Sequence, residues 1–207
     1  MEKLDLTKKY KSYYSAKTKP ELTEFGELPY ISIAGKGDPS GPAFADRVQA
    51  LYSVAYAIKF HYKGEGKDFA VPKLEGQWWF DHEQYTGIGM AEAPKAVPRS
   101  EWLFRLLLMI PSYVSEQVIE AMTGSVAAKK ALPMAKEVQF FSLHEGKCVQ
   151  LLHVGPFDRE PESLQMIADF SREQHLQQNG LHHEIYLSDF RKTAPEKLKT
   201  ILREPVK

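Results

Sequence analysis

His182-His183-Glu184-Ile185-Tyr186-Leu187-Ser188-Asp189 reads as a β-strand, with β-favouring Ile and Tyr between turn-forming flanks. Alternation places His182, Glu184, Tyr186 and Ser188 on one face, and His183, Ile185, Leu187 and Asp189 on the other. A carboxylate and a phenol therefore share a face two residues apart. If that face turns inward, Glu184 is a carboxylate in an aromatic setting, which is costly to bury unless something pairs or uses it.

The chain has 207 residues, enough for one domain of two packed modules with a core that needs no staples. Hydrophobic content of 43% and charged content of 26% are those of a soluble globule. Lys+Arg and Asp+Glu each number 27, and this balance argues against duplex nucleic acid as a direct partner. A single cysteine, Cys148, excludes an intrachain disulfide and a cysteine-rich metal site. No apolar run marks a secretory signal, and the longest, Trp102–Ile110, is too short to span a bilayer. The expected location is the cytoplasm, with no membrane partner. The 11 Phe, 10 Tyr and 3 Trp suit either a core or a cavity for flat ligands.

Residues 1–24 are polar and lysine-rich and read as a solvated arm, with Tyr10, Tyr13 and Tyr14 available to pin part of it. The single domain is expected over 25–207. Tyr30-Ile31-Ser32-Ile33-Ala34 is a strand stopped by a Gly/Pro-rich turn that lacks phosphate-loop spacing. Phe44, Val48, Leu51, Ala55, Ile58 and Tyr62 then recur at helical intervals. Two strand-like runs follow, through Trp78-Trp79 and over Trp102–Ile110, separated by an excursion at 81–100 that could serve as a lid. Adjacent tryptophans on a strand face opposite ways, so one is free to line the side away from the helix. A helix is expected from Ser112 to about Lys130, and Leu132-Pro133 marks the internal boundary.

The second half repeats this grammar. Val138–Leu143 and Cys148–Val154 read as a hairpin around His144-Glu145-Gly146-Lys147. Asp158 is a candidate N-cap for a helix carrying Leu164, Ile167 and Ala168. The Glu184 strand follows. Thr193-Ala194-Pro195-Glu196 has the form of a capping box and predicts a short last helix with Leu198, Ile201 and Leu202. The pattern is α+β, with helices covering one face of antiparallel sheets.

Several strings together resemble the GyrI-like family of small-molecule-binding proteins, in its standalone branch. They are Ile33-Ala34-Gly35-Lys36-Gly37-Asp38-Pro39, Ala50–Tyr56, Leu74-Glu75-Gly76-Gln77-Trp78-Trp79, His153-Val154-Gly155-Pro156-Phe157, Glu184–Asp189 and Pro195–Arg203. Phe190 and Glu204 depart from the residues expected there, at positions taken to have no bearing on the chemistry. The resemblance implies two β-α-β-β (SHS2-type) modules, about 28–131 and 132–207, related by pseudo-twofold symmetry with a ligand cleft between them. It implies that Glu184 is the acid at the centre of that cleft, and that relatives resembling this chain hydrolyse cyclopropanoid DNA-alkylating genotoxins.

Hydrolysis of such a strained electrophile calls for a base on water and a donor for the developing oxyanion. Glu184 is the candidate base, and Tyr113 or Tyr186 the candidate donor. Trp79, Tyr56 and Trp102, with Met109 and Phe157, are the candidate lining for an aromatic hydrophobic molecule. The histidines lack metal-site spacing, so no metal or other cofactor is expected. Cys148, in an apolar strand, reads as inert packing. Two alternatives stand beside the enzyme. One is a non-catalytic multidrug module that sequesters lipophilic cations. The other is an interaction protein of the topoisomerase-protecting type, with the lysine-rich arm as its contact.

Overall fold

The computed structural model describes residues 3–207. In chain order the elements are β1 (Leu4–Asp5), α1 (Leu6–Lys9), β2 (Glu21–Lys36), α2 (Pro42–Gly64), β3 (Phe69–Ala70) and β4 (Glu75–Trp79). There follow α3 (Ala93–Ala96), β5 (Leu103–Met109), α4 (Glu116–Lys129), β6 (Gln139–Val154), α5 (Glu160–Glu173), β7 (His182–Tyr186) and β8 (Lys199–Pro205). Six strands close a barrel in the order β2-β5-β4-β7-β8-β6, and every neighbouring pair is antiparallel. The α+β architecture is as expected. Each half runs strand–helix–strand–strand, β2-α2-β4-β5 and β6-α5-β7-β8, laid down as β2-β5-β4 and β6-β8-β7.

The period-2 alternation separates two environments. Ile31, Ile33, Trp78, Phe104, Leu106 and Leu108 face outward under α2 and α4, where Leu51, Val54, Ile58, Ile119 and Val126 cover them. Val149, Leu151 and Leu202 face outward under Leu164 and Ile167 of α5. Tyr30, Leu107, Met109, Cys148, Ile185 and Ile201 face inward. The near-continuous apolar run of β5 is thus explained by burial on both faces.

The interior also holds charge. Arg203 donates to Glu145 Oε2 at 2.7 Å and to Gln150 Oε1 at 3.1 and 2.9 Å. His183 Nδ1 lies 2.8 Å from Glu145 Oε1, while its Nε2 is 3.1 Å from Glu75 Oε2 but out of line for a hydrogen bond. The Tyr13 and Tyr14 hydroxyls donate to the two oxygens of Glu75, at 2.6 and 3.0 Å.

Three expectations are overturned. The segment read as a solvated arm is docked: Leu6, Tyr13 and Tyr14 are buried, β1 pairs with β3, and β2 already begins at Glu21. Tyrosines hidden in a lysine-rich stretch outweigh its polarity. The hairpin at 144–147 is absent. β6 is a single 16-residue strand that pairs with β2 straight through, Gly146 taking φ +66°. Its Glu145 looked like turn chemistry but is a buried ion-pair partner. The last helix is absent as well. Pro195–Lys197 forms one 3-10 turn and Lys199–Pro205 is a strand, paired with β6 on one side and β7 on the other. Apolar residues at 198, 201 and 202 fit a helix stripe as well as a strand buried on both faces.

Candidate functional site

β7 and β4 run side by side with Glu184 opposite Gly76 and His182 opposite Trp78. Their outward faces form a strip between the parts of the barrel covered by α2 and by α5. Phe44 of α2 stacks on Trp78 with ring centroids 5.8 Å apart. On the other side, Phe157, just before α5, meets Tyr186 edge-on at 6.1 Å. Glu184 sits in this strip with its side chain 14% exposed.

Both oxygens of Glu184 are held. Tyr186 donates to Oε2 at 2.6 Å, and Trp78 Nε1 donates to the Tyr186 oxygen at 3.1 Å. His182 Nε2 lies 3.2 Å from Oε1, and its Nδ1 lies 2.8 Å from Glu204 Oε1. Gly76 makes room for this chain: a methyl there would lie 2.9 Å from Trp78 Nε1 and 3.1 Å from the Tyr186 oxygen.

The charges follow from the packing. Burial opposes a charged His182, but Glu204 and then Glu184 outweigh it and push the imidazole up to about 10. His182 is therefore a cation at neutral pH, flanked by two carboxylates. Burial, and then the Glu184 charge, keep Tyr186 a phenol well above the usual tyrosine range. Burial, followed by Glu184, also holds Glu160 well above the usual carboxylate range. The strip can thus present a carboxylate, fixed by an imidazolium and a phenol, to an aromatic surface.

The expected site residues divide. Glu184, Tyr186 and Phe157 are together. Trp102 packs edge-on against Trp78 at 6.1 Å, and so borders the group. Tyr56 lies on α2 between Tyr52 and Phe60 and is exposed. Trp79 faces into the barrel, where Arg105 lies over its ring at 5.9 Å; its neighbour Trp78 takes the place expected of it. Met109 is likewise internal, 3.7 Å from the Tyr14 hydroxyl, on the opposite face of the sheet from Glu184. Tyr113 donates to the Lys67 carbonyl at 3.0 Å and packs on Tyr62. Tyr62 is 18 residues along α2 from Phe44, about 27 Å at helical rise, so Tyr113 is not joined to Glu184.

Sequence reasoning missed His182 as the partner of Glu184, Trp78 as the donor to Tyr186 and Glu204 behind His182. The alternation did put His182 on the right face, and that signal was set aside in judging histidines only as metal ligands. Glu204, taken as irrelevant, is the anchor of His182. Among the described residues no cluster of His, Cys, Asp and Glu could hold a metal ion. Burial first, then Glu145, pushes the Cys148 thiol up to about 12, which makes it a poor nucleophile. No described helix is long and apolar enough to cross a membrane.

Residues 109–207 match the profile of the GyrI-like small-molecule-binding domain. The whole chain is similar to an uncharacterised conserved protein from Listeria innocua, with 37% identity, a TM-score of 0.88, and 99% and 100% of the two chains covered. It is also similar to a hydrolase encoded by lin2189 of Listeria innocua, with 36% identity, a TM-score of 0.85 and both chains covered completely. The EcmrR C-terminal domain shares the fold at 10% identity, with a TM-score of 0.60 over 91% of this chain and 97% of that one. A comparison with curated proteins returns no significant match. By the domain match over its second half and the full-length similarity at 37% identity, the chain belongs to the GyrI-like small-molecule-binding family.

Proposed function

We propose that the strip between α2 and α5 binds flat, aromatic, hydrophobic small molecules, and that Glu184 drives hydrolysis of those that carry an electrophilic cyclopropane, as in DNA-alkylating cyclopropanoids. The observation that carries the reading is the Glu184 carboxylate: partly exposed, and gripped on both oxygens in an otherwise aromatic surface. The similarity over the full chain to the Listeria hydrolase supports enzymatic turnover.

In a spirocyclopropyl-cyclohexadienone, the oxygen of water bonds to the cyclopropane methylene as the ring C–C bond breaks. The electron pair moves into the dienone, whose carbonyl oxygen becomes a phenoxide. Glu184 takes the proton from the attacking water and returns it through solvent to the phenoxide, so that the product is a phenol bearing a new alcohol. His182 and Tyr186 orient the carboxylate. Tyr186 already donates to Glu184, so an oxyanion donor role for it requires that bond to exchange on binding. Trp78 and Phe157 supply the apolar walls.

Incubation of the purified protein with such a compound should give ring-opened product by mass spectrometry. Glu184→Gln should lower turnover by about 10²-fold or more while the compound still quenches tryptophan fluorescence. Turnover at the wild-type rate in that variant overturns the assignment. A binding-only reading is favoured by one observation: Glu184 and Glu204 outnumber the cation His182, leaving a net negative strip suited to a lipophilic cation. Under that reading the compound is bound and recovered intact.

A further inference from the structure

The barrel interior holds two arginines, and one of them has no counter-charge. Arg203 is bonded to Glu145, and His183 lies between Glu145 and Glu75. The two buried carboxylates are thus matched by two basic groups, and Arg105 of β5 is left over. Its neighbours Phe104 and Leu106 face outward under the helices, so its own side chain enters the barrel. Among the described residues its one hydrogen bond runs from Nη1 to Gln77 Oε1, at 3.3 Å, and its Nε is buried without a partner. Burial pulls its pKa below the usual arginine value. A guanidinium taken out of water without an anion is costly to hold.

Register and contact place a second unpartnered donor beside it. β2 lies between β5 and β6 in the barrel. Arg105 pairs with Ala34 across β5 and β2, and Phe141 pairs with Tyr30 across β6 and β2. Yet the Arg105 guanidinium lies 4.2 Å from the Phe141 ring centroid. The side chain therefore crosses β2 between the levels of Ala34 and Tyr30, where the inward-facing residue is Ser32. Ser32 is only 1% exposed, and its Oγ has no hydrogen-bond partner. It is also the diagonal neighbour of Arg105 on the β2–β5 ladder, a spacing that a long side chain bridges. The Trp79 ring centroid lies 5.9 Å from the same guanidinium. Ala34 is exposed, so the barrel opens to solvent at this level.

We infer that Arg105 and Ser32 form a carboxylate-binding site in this mouth of the barrel, on the opposite face of β4 from Trp78 and separate from the Glu184 strip. The Nε edge of a guanidinium, with the adjacent Nη2, is a fork that matches both oxygens of a carboxylate. Gln77 occupies Nη1 and leaves that edge free. The Ser32 hydroxyl donates to the same anion. One uncompensated positive charge selects a monoanion, because a dianion would exchange one unpaired buried charge for another. Phe141 and Trp79 fix the guanidinium and give the anion an apolar rim, so the ligand is a small monocarboxylic acid rather than an inorganic ion. The site does not depend on turnover at Glu184.

Proton–nitrogen NMR of the arginine Nε groups tests this directly, with the Arg105 resonance assigned through the backbone of the wild type. Sodium acetate, exchanged for chloride at constant ionic strength, should shift that resonance saturably and raise the melting temperature. Sodium phosphate should do neither at the same concentration. Arg105→Met, with unchanged far-UV circular dichroism, should lose the acetate-dependent rise. Ser32→Ala should raise the acetate midpoint by about tenfold, through loss of one hydrogen bond to a charged group. An Arg105 resonance that acetate leaves in place, or that moves alike with chloride or phosphate, overturns the site. So does an acetate-dependent rise that persists in Arg105→Met, and an unchanged midpoint in Ser32→Ala removes Ser32 from it. If Arg105→Met does not fold, the wild-type and Ser32→Ala titrations decide.

Discussion

At the scale of single residues, the site depends on one absent side chain as much as on those present. Gly76 lies opposite Glu184 and under the Trp78–Tyr186 hydrogen bond. A Cβ there falls within 2.9 Å of Trp78 Nε1, closer than packed atoms tolerate. Gly76→Ala should therefore break that bond, at about 0.5–1.5 kcal/mol of stability, and loosen the phenol that orients Glu184. A shift in Trp78 emission with a lower denaturation midpoint would show it; unchanged emission and midpoint would contradict it. The adjacent Trp78 and Trp79 teach the same lesson. Alternation says that they face opposite ways, but not which one shares a face with Glu184. Only the register of β4 against β7 makes it Trp78, with Trp79 turned to Arg105 inside the barrel.

At the scale of elements, the N-terminal segment and β8 are tied together through the barrel interior. Arg203 on β8 bonds Glu145 on β6 and donates to the Tyr13 carbonyl at 2.9 Å, while its guanidinium lies 4.4 Å from the Tyr13 ring centroid and 4.0 Å from that of Phe25. Arg203→Met keeps the volume but leaves Glu145 buried without its main cation. Loss of one partner of a buried pair costs about 3–5 kcal/mol. Urea denaturation should register that loss, and residues 3–20 should gain protease sensitivity in step. A midpoint equal to the wild type would show that the pair contributes little. These contacts also explain why β8 was read as a helix. A strand buried on both faces carries apolar residues without alternation, and the Thr-Ala-Pro-Glu start imitates a helix cap.

At the scale of the whole molecule, the buried charges set a pH window for stability. Burial opposes ionisation of Glu145, but Arg203 and then His183 pull it down to about 2 from 4.5. Its contribution is complete above 4.5 and is lost as pH falls from there towards 2. Burial likewise opposes charge on His183, yet Glu145 and then Glu75 push it up to about 9 from 6.5. That contribution is complete below 6.5 and is lost as pH rises towards 9; His182 behaves alike up to about 10. Glu160, raised by burial and Glu184, also weakens the fold as pH rises above 4.5. The melting temperature should peak between about pH 4.5 and 6.5 and fall on both sides. A melting temperature that stays flat from pH 6 to 10 would show that the two histidines are not charged in the folded state.

The α+β class, the helix carrying Phe44 to Tyr62, the strands through Tyr30–Ala34, Trp78-Trp79 and Trp102–Ile110, and the face shared by Glu184 and Tyr186 were all legible in the sequence. Each is a local property, set by side-chain period and turn chemistry. Closure into a barrel, the docking of Tyr13 and Tyr14, the strand at β8, the choice of Trp78 over Trp79 and the separation of Tyr113 from Glu184 were not. Each depends on which strands pair and in what register, and therefore on contacts between residues far apart in the chain. The charged groups of the interior show why. Glu75, Glu145, His183 and Arg203 are each costly to bury alone, and only their mutual pairing offsets that cost. The same holds for Glu184. The sequence determined that a carboxylate and a phenol share a strand face, and the tertiary structure decided that His182, Trp78 and Phe157 border them, with Glu204 behind His182.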